Sequence, residues 1–137
     1  MTSIGLVKLA CKAAQRAYVP YSHYHVGAAL LTKSGKVYLG CNIENAAYTP
    51  TNCAERTAFF KAISEGEREF EAIAIVGGLN MDFKDFAPPC GVCRQVMQEF
   101  CGPDFKIYLG KNNDEIAEYT LSDILPLGFT PENLQNQ

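Results

Sequence analysis

Ala72-Ile73-Ala74-Ile75-Val76 is an unbroken apolar run of strand length, with Glu71 before it and Gly77-Gly78 after it. A strand with one wet face alternates apolar and polar residues, so the strand predicted over Glu71–Val76 is read as buried on both faces. Burial of that kind requires a layer on each side of a sheet. The flanking segments supply helices. Upstream, Ala54, Ala58, Phe59, Ala62 and Ile63 mark the inner face of a helix over about Cys53 to Glu65, after Pro50 and with Gly66 as its stop. Downstream, a loop through Phe83, Phe86 and Pro88 leads to Cys93, Val96, Met97 and Phe100 at helical spacing. Cys90 and Cys93 therefore fall on the first turn of a helix that Gly102-Pro103 ends.

The pattern continues outward. Leu6, Leu9, Ala10, Ala13, Ala14 and Ala17 predict a first helix from near Ser3 to Ala17, stopped by Pro20. Val26 to Leu31 reads as a buried strand, Lys33 to Lys36 as a hairpin turn and Val37 to Cys41 as the returning strand. Lys106 to Leu109 and Glu115 to Tyr119 predict two more strands, and Leu121 to Leu125 a short helix before Pro126. The whole implies a three-layer α/β/α domain over residues 1–137, with a mixed five-stranded sheet whose middle crossover joins parallel strands. The polar tail is expected to fray beyond about residue 130.

A chain of 137 residues is long enough for one real core. Its net charge of -3 argues against a surface that tracks nucleic-acid phosphates. The absence of a signal-type leader or a membrane-spanning apolar window predicts a soluble, cytoplasmic protein. Six cysteines then read as free thiols and metal ligands in place of a disulfide framework.

The chemistry concentrates in Asn52-Cys53-Ala54-Glu55-Arg56 and Pro89-Cys90-Gly91-Val92-Cys93. Catalytic zinc sites keep three protein ligands and leave a position for water, and Cys53, Cys90 and Cys93 offer that set. A cysteine two residues before a glutamate, followed by P-C-x-x-C, is the pattern of zinc-dependent nucleobase deaminases. In that chemistry water activated at the metal attacks C4 of a pyrimidine, and Glu55 moves its proton to N3 and then to the leaving amine. Helix N-termini favour thiolate over thiol, so ligands that open helices suit the task. Three thiolates leave a Zn²⁺ site with a formal charge of about -1, and Arg56 is expected to return positive charge by hydrogen bonding to them.

Plainer readings compete. Asn52 and Glu55 also fit a capping box without catalysis. Cys90 and Cys93 fit a redox dithiol, and Cys41 would make a closed, structural four-cysteine site. Alternation places His23 and His25 on one strand face, exposed or at an edge. Cys11 and Cys101 read as packing thiols. The conjunction of both motifs favours the deaminase.

With these residues in place, the sequence resembles the small, homotetrameric class of zinc-dependent cytidine deaminases. The likeness runs from Ala17-Tyr18-Val19-Pro20-Tyr21-Ser22 through Val26-Gly27-Ala28-Ala29-Leu30, Asn42-Ile43-Glu44-Asn45-Ala46 and both cysteine motifs to Leu125-Pro126 and Phe129. It implies one zinc ion per subunit on Cys53, Cys90 and Cys93, with Glu55 as proton shuttle. Asn42 and Glu44 would hold the ribose hydroxyls, and Ala54 would join the substrate contacts. Ala46, Tyr48 and Phe129 would reach into a neighbouring subunit's site, Phe129 packing on the base. Tyr24 stands where members often carry Phe, and its ring would pack on the pyrimidine. The implied reaction is hydrolysis of cytidine and deoxycytidine to uridine and deoxyuridine plus ammonia, in pyrimidine salvage. Blasticidin-S deaminase shares the cysteine motifs, but Asn42 and Glu44 as a ribose-binding pair favour an ordinary nucleoside.

Overall fold

The structure, a computed structural model, describes residues 1–135. In chain order its elements are α1 (Ser3–Ala14), β1 (Tyr24–Thr32), β2 (Val37–Cys41), α2 (Ala54–Ser64), β3 (Phe70–Leu79), α3 (Gly91–Phe100), β4 (Lys106–Lys111), β5 (Glu115–Thr120), α4 (Leu121–Ile124) and α5 (Glu132–Gln135). The strands form one five-stranded sheet in the order β2-β1-β3-β4-β5. β1 runs antiparallel to both of its neighbours, β3 and β4 are parallel, and β5 returns antiparallel. The sheet is therefore mixed, and β3-α3-β4 is the expected parallel crossover.

Alternation along the strands divides the core between two layers. Ala29, Leu31, Ala72, Ala74 and Val76 pack with Leu6, Val7, Ala10 and Ala14 of α1. Their sequence neighbours Ala28, Leu30, Ile73 and Ile75 face the other way, onto Ala58, Phe59 and Ala62 of α2 and Met97 of α3. The apolar run Ala72-Ile73-Ala74-Ile75-Val76 is thus buried on both faces, as its composition requires. Phe59 anchors the second layer, 5.1 Å edge-on from Phe70 and 6.0 Å from Phe105 between ring centroids. Such rings bury large apolar areas and also gain from their mutual geometry. Two glycines let helices approach the sheet. A Cβ on Gly27 would lie 2.0 Å from the Ala10 carbonyl oxygen, and one on Gly40 would lie 2.3 Å from that of Ala54.

Several boundaries differ from expectation. α1 ends at Ala14 rather than Ala17, because Arg16 N and Ala17 N turn back onto Ala13 O and Ala14 O and Tyr18 N then pairs with Asn42 O. β3 runs on to Leu79, since Gly77 and Gly78 keep their register with Val26 and His25. His23 stands before β1 with φ 57, so the two histidines do not share a strand face. It is exposed, whereas His25 is half-buried and its Nδ1 lies 3.0 Å from Ala14 O. Gly66 (φ 101) ends α2 as read from the sequence. In the tail, Glu132–Gln135 form the short α5, and residues 136–137, on which the expectation of fraying also falls, lie outside the described residues.

Candidate functional site

Both cysteine motifs open helices. Cys53 is the N-cap of α2 and Cys90 the N-cap of α3, each in extended backbone conformation and without a side-chain cap hydrogen bond. An N-cap side chain sits beside the unpaired amides of the first helical turn, where partial positive charge accumulates. Cys93 follows in the first turn of α3, almost fully buried. The sulfurs of Cys53 and Cys90 are 3.8 Å apart, those of Cys90 and Cys93 3.5 Å, and all three lie within 4.8 Å of one another. A tetrahedral ion with Zn–S bonds of about 2.3 Å requires sulfurs about 3.8 Å apart, so the donor set fits Zn²⁺ in chemistry and in spacing. Among the described residues no other cysteine joins this group. Cys41 instead lines a separate opening with Lys12, Arg16 and Lys61, which removes the closed four-cysteine reading.

The capping-box reading also fails. Because Cys53 is the N-cap, Glu55 stands at the second helical position and not the third that a capping box needs. Asn52 has other work. Its backbone exchanges two hydrogen bonds with Ile43, both 3.0 Å, and its Nδ2 donates to Thr57 Oγ1. Thr57 Oγ1 in turn donates to Cys53 O, so one hydroxyl links the Asn52 side chain to the Cys53 carbonyl.

Electrostatics follow from this packing. The Cys93 thiol, hydrogen-bonded to Cys53, and the Arg56 guanidinium, whose Nη2 donates to Cys53 Sγ at 3.2 Å, bring the Cys53 thiol down to about 5. Cys93 moves the other way, its proton held by the bond to Cys53 and by burial. Without an ion Cys53 therefore carries the negative charge while Cys93 keeps its proton, whereas a bound dication favours the thiolate form of its ligands. Arg56 is pushed above its ordinary range by the Cys53 bond, and its Nε is buried with no hydrogen-bond partner among the described residues. Glu55 is 4% exposed, and burial raises its carboxyl to about 7. A carboxyl poised near neutrality can both accept and return a proton.

Cys53, Glu55 and Cys90 line a cleft of about 260 Å³ together with Ala54, Tyr24, Asn42 and Phe86. Asn42 Oδ1 accepts from Val26 N at 2.9 Å and its Nδ2 donates to Tyr24 O at 2.8 Å, which leaves one N–H and a lone pair for a ligand. Glu44 lies at an adjoining opening of about 300 Å³ with Tyr48. Its Oε1 accepts from Tyr21 N and Ser22 N, both at 3.1 Å, and its Oε2 from Ser22 Oγ. The Ser22 hydroxyl foremost holds its carboxyl below the usual range, so Glu44 stays ionised as an acceptor. Ala46, Tyr48 and Phe129 are not among the residues lining the cleft, and the two rings are 77% and 57% exposed.

Sequence reasoning missed several supports. Arg94 Nε donates to Pro89 O and its Nη1 to Ile124 O, both at 2.7 Å, tying the cysteine loop to α4. Its position directly after Cys93 was the available signal. Ser22 and Phe86 were visible as residue types, but their partners are remote in sequence.

The family described as "Cytidine and deoxycytidylate deaminase zinc-binding region" matches residues 2–109. A cytidine deaminase of Halalkalibacterium halodurans is 55% identical over 131 residues, 96% of this chain and 96% of that one. One from Sporosarcina psychrophila is 52% identical over 123 residues, covering 90% of this chain and 88% of its own. The crystal structure of cytidine deaminase from Burkholderia pseudomallei superposes with a TM-score of 0.87 at 45% identity, over 94% of this chain and 100% of that one. With a thiol cluster of zinc spacing beside a buried glutamate and a match over most of its length, the chain belongs to the cytidine and deoxycytidylate deaminase family.

Proposed function

We propose that this chain, as a single domain, hydrolyses cytidine and deoxycytidine to uridine and deoxyuridine plus ammonia, in cytoplasmic pyrimidine salvage. One observation carries the reading: three thiols converge within 4.8 Å at two helix starts, beside a buried carboxyl of pKa about 7, on an open cleft. Cys53, Cys90 and Cys93 hold the zinc ion. When bound, it supplies the Lewis acidity that makes water a competent nucleophile near neutral pH. Glu55 accepts a proton from the attacking water as its oxygen bonds to C4, delivers a proton to N3, and then delivers the second water proton to the departing amine. Arg56 offsets the thiolate charge. Arg56→Gln is expected to raise the pH at which activity appears, as a pH–rate profile would register.

Asn42 and Glu44 recognise the ribose hydroxyls, and Tyr24 and Ala54 flank the bound nucleoside. Ala46, Tyr48 and Phe129 act in the neighbouring site of a homotetramer. Their exposure supports that reading, since apolar rings left in water are suited to burial against another copy. The decisive test is ammonia release from cytidine by the zinc-loaded protein, with adenosine as control substrate. Release from cytidine alone is expected, and a folded, zinc-loaded sample that releases none overturns the proposal.

A further inference from the structure

One wall of the cleft comes from an irregular loop between β3 and α3. The chain leaves β3 through two residues in left-handed conformation, Asn80 (φ 51) and Met81 (φ 68), and re-enters the core at Phe83, which is 7% exposed. It then crosses the mouth of the cleft with Phe86, Ala87 and Pro88. The end of β4 and the residue after it secure this loop. Asn112 N donates to Phe83 O at 2.7 Å, and Asn112 Nδ2 donates to Asp82 Oδ1 at 2.8 Å. Lys111 Nζ lies over the Phe86 ring, 4.6 Å from its centroid. The same ammonium is 3.4 Å from a Glu115 carboxylate oxygen.

A cation over an aromatic face is attracted by the ring's quadrupole. Phe86 sits on a loop and is only partly buried, packed in part against the core of the α2–α3 layer. Lys111 lies over one face of that ring, and Glu115 pairs with the same ammonium without touching the ring. We infer that Lys111 is a positioning residue for the substrate, acting through Phe86, an inference that rests on the nucleoside reading of the cleft. It touches no reacting atom. Its effect is on how firmly the nucleoside is held rather than on proton transfer.

The test uses the zinc-loaded protein and reads kcat and KM for cytidine, Kd for uridine as a ligand that binds without turnover, and the Phe86 ring resonances by NMR in the ligand-free state. Lys111→Gln is expected to raise KM and Kd about 3-fold with kcat unchanged, the size of one partly exposed cation–π contact. Lys111→Arg should restore both, because a guanidinium also stacks on aromatic faces. Glu115→Gln removes the ion pair but not the ring contact and should leave both constants near wild type. Lys111→Gln combined with Phe86→Leu should be no weaker than Phe86→Leu alone. A wild-type Kd in Lys111→Gln, or additive losses in the double variant, overturns the inference. If the wild-type protein neither binds uridine nor acts on cytidine, the nucleoside reading has failed. The ring resonances then decide the remaining point: a shift in Lys111→Gln keeps the clamp, and unmoved resonances overturn it.

Discussion

Gly27 and Gly40 use the same device on opposite faces of the sheet, and the helices they admit do different work. Each glycine lets a helix backbone come closer than any side chain would allow, α1 over Gly27 and α2 over Gly40. Beyond that the two layers part. α1 starts on a conventional cap, with Thr2 Oγ1 accepting from Gly5 N at 3.0 Å, and buries apolar side chains. α2 starts on an uncapped thiol and carries a buried carboxyl in its first turn. Close packing is thus common to both, and chemistry depends on what occupies the start of the helix.

The sharpest way to break this contrast is Glu55→Gln. It is expected to retain zinc by metal analysis while kcat falls by about 10²–10⁴-fold, the scale of a lost general acid–base group. Normal turnover would end the assignment. Next come the paired variants Gly27→Ala and Gly40→Ala. Each added Cβ meets backbone, so each should cost about 3 kcal/mol or more by denaturant unfolding. Gly40→Ala should also lower zinc affinity and activity per folded molecule, whereas Gly27→Ala should leave both intact. Equal losses of activity would erase the distinction between the faces.

A third test uses pH. Burial raises Glu55 from 4.5 to about 7, so in metal-free protein the folded state keeps a proton that the unfolded chain loses. The stability this contributes is present in full below about pH 4.5 and disappears as pH rises through about 7, a change of roughly 3 kcal/mol. Cys53, lowered to about 5, has the opposite sign and gains stability with pH between about 5 and 9. Subtracting the unfolding curve of Glu55→Gln from wild type isolates the first effect, and a flat difference contradicts it. The smallest effect belongs to α1. Thr2→Ala should cost about 1 kcal/mol of stability with no change in activity.

Much of this was legible in sequence because it depends on neighbours along the chain. The limits of β2, the stop at Gly66 and the apolar run of β3 follow from local pattern, as do the helix starts at the cysteines. The missed features depend on distant partners. Glu44 is held by residues 22 and 23 positions away, and Arg94 reaches 30 positions to Ile124. Lys111 meets Phe86 because β4 and the loop after β3 end on the same side of the sheet. The strands were predictable, but their spatial order was not, since it is set by which edges pair across long connections. The capping-box reading failed by one residue, a shift that ordinary uncertainty in helix boundaries permits and that here changes the role of Glu55.

The uncapped starts of α2 and α3 bear on how the protein breathes. A helix start without a side-chain cap leaves its first-turn amides without that acceptor, and their exchange with solvent reports local opening. An ion held by Cys53, Cys90 and Cys93 would tie the two ends to one point and close that route. Amide hydrogens at Glu55, Arg56, Val92 and Cys93 should therefore exchange more slowly once metal is present, while those of capped α1 keep a constant lifetime. Metal occupancy would then be readable from a few backbone protons, without substrate.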